Sequence, residues 1–182
     1  HTSPPDIDVY TLVSYGRYPH SRFGRRLDRR DREKIEAAIR LTGLTELQQR
    51  EVGTLSGGER QRARIAMTIC QEPEILIMDE PTTYLDIGYQ IEVLELVRRL
   101  NSELNLTILM VLHDLNMAAR YSDSICAIKD GRCHICGPVA EVITAQNLLD
   151  VFCIRANVFK DCENNCPYFI PLKNTAENTI EH

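Results

Sequence analysis

Hydrophobic positions along this chain fall into three rhythms. In the first they recur every three to four residues, which gathers them on one face of a helix. Val9, Leu12 and Val13 do so behind Asp6 and Asp8, residues suited to a helix start, and Gly16 and Pro19 punctuate the end. Between Asp31 and Thr42 the inward set is Ile35, Ala38 and Ile39, with Leu41 or Thr42, and Gly43 serves as a C-terminal cap. A short helix and a loop are expected from Leu44 to Leu55. Ala63, Ala66, Met67 and Cys70 share one face of a helix running from Glu59 to about Gln71, which Pro73 ends. Ile91, Val93, Leu94, Val97, Leu100 and Leu104 form a wide stripe on a longer helix.

The second rhythm is no rhythm at all. Ile75-Leu76-Ile77-Met78 and Leu106 to Leu112 are continuous apolar runs, the pattern of strands covered on both faces of a parallel sheet. A helix lies between them, so a right-handed crossover is the natural connection. The third rhythm is short and turn-bounded. Ile125 to Lys129 and Arg132 to Cys136 flank Asp130-Gly131, a two-residue hairpin signal. A short helix over Asn116 to Tyr121 precedes this hairpin, and a helix from Pro138 to Val151 follows it. Strand-like pieces occupy Ile154 to Leu172, and Asn174 to His182 is a polar tail.

Composition narrows this α/β picture. With 182 residues, 43% hydrophobic and 26% charged, the chain is of globular type and long enough to bury a core. Its net charge of −5 gives no argument for nucleic acid as a partner. No apolar run reaches membrane-spanning length, so any membrane role is expected to pass through a partner. Six arginines fall between Arg22 and Arg32. They read as a solvated loop and helix start, with a docking surface for an acidic or membrane-proximal partner as the alternative.

Seven cysteines are present, and Cys70 and Cys126 lie inside apolar elements. That placement suits reduced core thiols of a cytosolic protein. Cys133-His134-Ile135-Cys136 has C-x-x-C spacing, and Cys153, Cys162 and Cys166 follow. A zinc or iron–sulfur site is conceivable there. Against it, Cys133 and Cys136 have an odd separation and are expected on opposite faces of a strand.

Candidate chemistry concentrates in Leu55-Ser56-Gly57-Gly58-Glu59-Arg60-Gln61-Arg62. Ser56 followed by Glu59 has the form of a capping box. Gly57 and Gly58 leave the first-turn N–H groups open to an anion, and the helix dipole adds positive potential. An ordinary helix cap is the plainer reading of these residues. Asp79, Glu80 and His113 stand at the ends of the two buried strands, where open α/β sheets bind ligands. Asp79 is suited to holding Mg²⁺ beside a triphosphate, Glu80 to orienting or deprotonating water, and His113 to meeting a terminal phosphate. Each alone could be structural. Together with a phosphate-ready helix start they point to nucleotide chemistry.

The same residues resemble a known family, the nucleotide-binding subunits of ATP-binding cassette (ABC) transporters. Leu55 to Arg62 resembles the signature motif, and Ile75 to Pro81 resembles Walker B with its catalytic glutamate. Thr83-Tyr84-Leu85-Asp86 resembles the D-loop, and His113 the switch histidine. Gly16-Arg17-Tyr18-Pro19-His20, Thr82 to Ile87 and Leu112 to Tyr121 further resemble importers of ferric siderophores, haem and cobalamin. The sequence departs from the pattern in three respects. It contains no G-x-x-x-x-G-K-[ST] phosphate loop, no Q-loop glutamine and no adenine-stacking aromatic residue. The chain begins at His1, not Met, and an N-terminal portion is expected to precede it.

The resemblance implies a fold and an activity. The fold is a partial P-loop-NTPase-type core, with parallel strands flanked by helices, an ABC α-helical subdomain over 1–55, and the C-terminal part of the ATPase core over 56–182. The activity is ATP hydrolysis, with ATP and Mg²⁺ as ligands. Two subunits clamp two ATP molecules head to tail, so Ser56, Gly57, Gly58 and Glu59 would act in trans on the partner's nucleotide. Asp79 would hold Mg²⁺, Glu80 would be the general base, His113 would bind the γ-phosphate and Asp86 would communicate across the homodimer. Transmembrane permease subunits, and indirectly a substrate-binding protein, are the implied partners, at the cytoplasmic face of the membrane. The polypeptide by itself is expected neither to bind ATP tightly nor to hydrolyse it. The alternatives are an ABC ATPase of DNA repair or chromosome structure, and an inactive module supplying only the trans half of a site.

Overall fold

The computed structural model describes residues 7–20 and 27–174. Asp6, the arginines from Arg22 to Arg26 and the tail beyond Asn174 lie outside the described residues. The chain divides into two compact units, His1–Val111 and Leu112–His182. This division follows packing; the helices before Leu55 share one core with the elements that run on to Val111.

In the first unit, α1 (Val9–Ser14) starts at Asp8, whose side chain accepts from the Thr11 N–H. A 3-10 turn over Tyr15–His20 follows directly. α2 (Arg29–Leu41) begins two residues before its expected start, because Asp28 and Asp31 form a reciprocal capping box. It ends at Thr42, with Gly43 at φ +68°. Of the two inward candidates at its end, Thr42 is the buried one, and its hydroxyl donates to the Ala38 carbonyl at 2.9 Å. The stretch expected as a short helix and loop contains two 3-10 turns, Thr45–Leu47 and Val52–Thr54. α3 (Gly57–Ile69) is capped by Ser56. β1 (Ile75–Asp79) and β2 (Thr107–Val111) pair in parallel, Ile75 against Thr107 through Asp79 against Val111, with α4 (Ile87–Leu104) as the crossover. Val9, Val13, Ile35, Ile39, Ala63, Leu76, Val93, Val97 and Leu100 meet in a single core.

The strands depart from expectation in one respect. Leu76 and Met78 are buried, but Ile75 and Ile77 are 60% and 68% exposed, and Leu109 and Val111 are 58% and 47% exposed. Continuous apolarity predicts cover on both faces. Among the described residues of this unit the helices pack on one face of the β1–β2 pair, and Ile75, Ile77, Leu109 and Val111 on the other stay exposed.

A buried ionic cluster fastens the Tyr15–His20 turn. Arg17 is 3% exposed. Its Nε donates to Asp31 Oδ1 at 3.0 Å, and its Nη1 to the Cys70 carbonyl at 2.8 Å and Glu72 Oε2 at 3.1 Å. Lys34 pairs with the same Glu72 carboxylate. That carboxylate is held below its ordinary pKa, first by the Lys34 hydrogen bond.

The second unit opens with α5 (Leu115–Tyr121), capped by Asp114. β3 (Ser124–Lys129) and β4 (Arg132–Pro138) are antiparallel. Asp130 and Gly131 between them have φ of +51° and +71°, the left-handed pair that a tight hairpin turn requires. The single helix expected from Pro138 to Val151 is two, α6 (Val139–Val142) and α7 (Ala145–Phe152). The break falls at Ile143 and Thr144, where Thr144 turns extended and caps α7 by accepting from the Asn147 N–H at 3.2 Å. β5 (Ile154–Asp161) and β6 (Cys166–Asn174) form the last hairpin. Phe169 on β6 packs with Ala119, Val139, Ile143 and Leu148. Asn116 holds Phe169 twice, accepting from its N–H at 3.0 Å and donating to its carbonyl at 3.2 Å.

The cysteines correct two expectations. Cys126 is not a reduced core thiol; it is exposed and disulfide-bonded to Cys136 directly across the hairpin. Cys133 and Cys136 do not point to opposite faces. Ala127 faces Ile135 while Ile128 faces Cys133, so His134 is an extra residue in β4. One bulged residue restores the face that an odd separation would have lost. Cys70, by contrast, is buried, and burial pushes its thiol up to about 11.

Candidate functional site

The site residues of the first unit lie on the ends of α3, β1 and α4. At the start of α3 the capping box is complete. The Ser56 N–H donates to Glu59 Oε2 at 2.8 Å, and the Glu59 N–H donates to Ser56 Oγ at 3.2 Å. The Ser56 N–H bond is the main reason that the Glu59 carboxyl is held below its ordinary pKa; Arg50 and Arg62 add to it. Gly57 is exposed and Gly58 buried.

Both glycines also answer to packing. A Cβ on Gly57 would meet Leu85 Cδ2 at 3.0 Å, and one on Gly58 would meet Tyr89 Cδ1 at 2.7 Å. The side-chain-free first turn of α3 therefore lets the start of α4 approach closely, and it leaves the Gly57 edge open. Asp86 caps α4 by accepting from the Tyr89 N–H at 3.4 Å. Gln90 Nε2 donates to the Leu85 carbonyl at 2.8 Å and fixes the turn before it. Ser56 to Glu59 and Asp86 are in this way brought to one corner through Leu85 and Tyr89.

Asp79 is exposed at the carboxyl end of β1, opposite Val111. Glu80 follows with φ +48°. Its N–H continues the ladder to the Val111 carbonyl at 3.2 Å, and its Oε2 accepts from Thr83 Oγ1 at 2.9 Å. Tyr84, two residues before Asp86, has φ +64° and is fully exposed. Non-glycine residues in this region store about 1–3 kcal/mol each and cluster at working sites. Two of them within five residues mark this turn. His113 stands in the second unit, exposed, next to the α5 cap Asp114, which accepts from the Asn116 and Met117 N–H groups at 2.8 and 3.0 Å.

Three features of the site escape sequence reasoning. Thr83 orients Glu80, and only its position three residues on hints at it. Leu85 and Tyr89 explain the glycines, a contact between helices that no local pattern contains. Arg17 sits in a segment singled out by resemblance alone, while its burial depends on Asp31 and Glu72, far away in sequence.

The arrangement fits an anionic ligand and a divalent cation by its donor set. It presents a bare helix start, an exposed carboxylate at a strand end and a second carboxylate held by a hydroxyl. Among the described residues no group of three or more His, Cys, Asp or Glu side chains is placed to hold a metal. Asp79 offers a single exposed carboxylate, and Mg²⁺ is commonly bound through one or two carboxylates together with water and phosphate.

The chain is similar to known proteins. The ABC transporter family model matches residues 5–83. The ferric enterobactin transport ATP-binding protein of Escherichia coli (strain K12) is 43% identical over 98% of this chain and 66% of its own length. The iron(3+)-hydroxamate import ATP-binding protein of Bacillus subtilis (strain 168) is 48% identical over 91% of this chain and 61% of its own. The chain thus spans about two thirds or less of these curated relatives. A metal-chelate type ABC transporter solved in an inward-facing conformation superposes with a TM-score of 0.86 at 28% identity, over 96% of this chain and 71% of that one.

Proposed function

The chain belongs to the ABC-transporter family of ATP-binding subunits, and from that premise we propose that it serves ATP hydrolysis that drives an importer of ferric siderophores, haem or cobalamin. The observation that carries this reading is the corner where the capped, glycine-opened start of α3 meets the Asp86 start of α4, with Glu80 reaching the same turn through Thr83. The substrate class rests on relatives named for ferric enterobactin and iron(3+)-hydroxamate transport.

The residues divide the work by their chemistry. The Gly57 and Gly58 N–H groups and the Ser56 hydroxyl would face the nucleotide carried by a second subunit. A helix N-terminus stabilises phosphate charge there. Asp79 would hold Mg²⁺, which supplies charge neutralisation of the phosphates when bound. Glu80, oriented by Thr83, would accept the proton of the attacking water. His113 would donate to the terminal phosphate, and Asp86 would relay between subunits. Permease subunits are the proposed partners, at the cytoplasmic face of a membrane, with a substrate-binding protein acting indirectly. No helix of the described residues is long and apolar enough to cross a membrane.

The test is Glu80→Gln in a polypeptide that joins this sequence to an upstream phosphate loop. ATP turnover should fall by about a hundredfold or more, as removal of a general base does, while ATP-bound dimers persist or lengthen in lifetime. Normal turnover in that variant would show that another group takes the proton.

A further inference from the structure

The bulge at His134 gathers three sulfurs on one exposed surface. Cys126 and Cys136 face each other across the hairpin, and Cys133 faces Ile128 two positions along the same side. Cys126, Cys136, Cys133 and Ile128 are all exposed, while Ala127 and Ile135 turn inward toward Val142 and Val151. Around Cys133 the hairpin tip forms an open concavity of about 480 Å³ lined by Lys129, Asp130, Arg132 and His134. Two fixed cations and one carboxylate leave it net positive. Two other exposed cysteines sit differently: Cys162 lies between Asp161 and Glu163, and Cys153 caps α7.

We propose that this face is a thiol–disulfide exchange site for low-molecular-weight thiols and disulfides that carry carboxylates. The site has two outcomes because of its register. When a disulfide RS–SR meets the Cys136 thiolate, a bond forms from Cys136 to one sulfur and RS⁻ leaves. The Cys126 thiolate, directly opposite, then attacks Cys136 and expels the second RS⁻. Two electrons pass from the cysteine pair to RS–SR, and the cross-strand bond closes. When RS–SR meets the Cys133 thiolate, the same first step occurs, but the residue opposite is Ile128. With Cys126 and Cys136 bonded to each other, no thiol lies across the hairpin to displace the adduct, so the mixed disulfide persists. Two further RSH molecules reverse the cross-strand bond, releasing RS–SR.

Basic residues beside Cys133 favour a carboxylate-bearing reagent by Coulomb attraction, and added salt screens that attraction. The acidic neighbours of Cys162 disfavour it. This inference is independent of the nucleotide chemistry.

The test takes the 182-residue chain, fully reduced, and treats it with oxidised glutathione or with the uncharged hydroxyethyl disulfide. Peptide mapping by mass spectrometry follows each cysteine. The expected result is a Cys126–Cys136 cross-link and a lasting glutathione adduct on Cys133. That adduct should form several-fold faster than the one on Cys162, and the preference should shrink with salt and with the uncharged reagent. Cys133→Ser should remove the adduct and leave the cross-link, and Arg132→Gln should slow the adduct without touching the cross-link. The inference is overturned if Cys126 and Cys136 remain uncrosslinked, or if Cys133 reacts no faster than Cys162 with oxidised glutathione.

Discussion

Glu80 carries two constraints at once: a left-handed backbone and a carboxylate fixed by the hydroxyl of Thr83. The first turns the chain sharply off β1, and the second aims the side chain back over the turn. Glu59 shows a different coupling, of charge to helix start. Its carboxyl is depressed because the ionised form accepts from the Ser56 N–H. A depressed folded-state pKa means that the stabilisation is present above the unfolded value and lost as pH falls through the folded one. Glu59→Ala should therefore cost about 0.5–1 kcal/mol near neutrality, and the difference from the parent should close once acidification has protonated the carboxyl, at a pH below the ordinary glutamate range. Urea denaturation at both pH values checks it. A difference unchanged at low pH would mean that packing, not the charged cap, is what the substitution removed. At this scale the sequence was readable wherever the partner was three residues away, as with Ser56 and Glu59. It was unreadable where the partner came from another element, as with Tyr89 against Gly58.

Among the elements, the helices were legible in outline because their period is local, and their ends were displaced by caps. Asp28 started α2 early, and Thr144 split α6 from α7. The Arg17 cluster ties three elements together: the Tyr15–His20 turn, the first turn of α2 and the segment after α3. Asp31 does double duty there, since its Oδ2 accepts from the Asp28 N–H at 3.2 Å while Oδ1 accepts from Arg17. Removing one partner of a buried pair leaves an uncompensated charge, so Arg17→Ala should destabilise by about 3 kcal/mol. Adding Asp31→Asn should recover part of that loss, because the orphaned charge goes with it. Additive losses in a denaturation cycle would show that the two residues act separately. The bulge in β4 was the least legible element. Nothing in Cys-His-Ile-Cys announces an extra residue, and the shift becomes visible only when both strands are paired.

Over the whole molecule, the order of motifs along the chain already carried the family, because the signature-like octet, the two acidic residues Asp79 and Glu80 at the end of β1 and the histidine after β2 are sequential. What the order could not carry was which surfaces are covered. An apolar strand reads the same whether one face or two are packed. Ile75, Ile77, Leu109 and Val111 lie on the two strands of a parallel ladder and leave an oily surface facing outward. That surface has a practical consequence for anyone weighing this polypeptide's stability. Environment-sensitive dyes light up on exposed apolar patches as readily as on unfolded chains. The 182-residue chain should therefore give a bright signal with such a dye while its far-UV circular dichroism is still fully folded, and Ile77→Lys should dim that baseline without lowering the helical signal. A dark baseline would mean that the patch is hidden in solution. Melting curves for this chain belong on an ellipticity axis, not a fluorescence one.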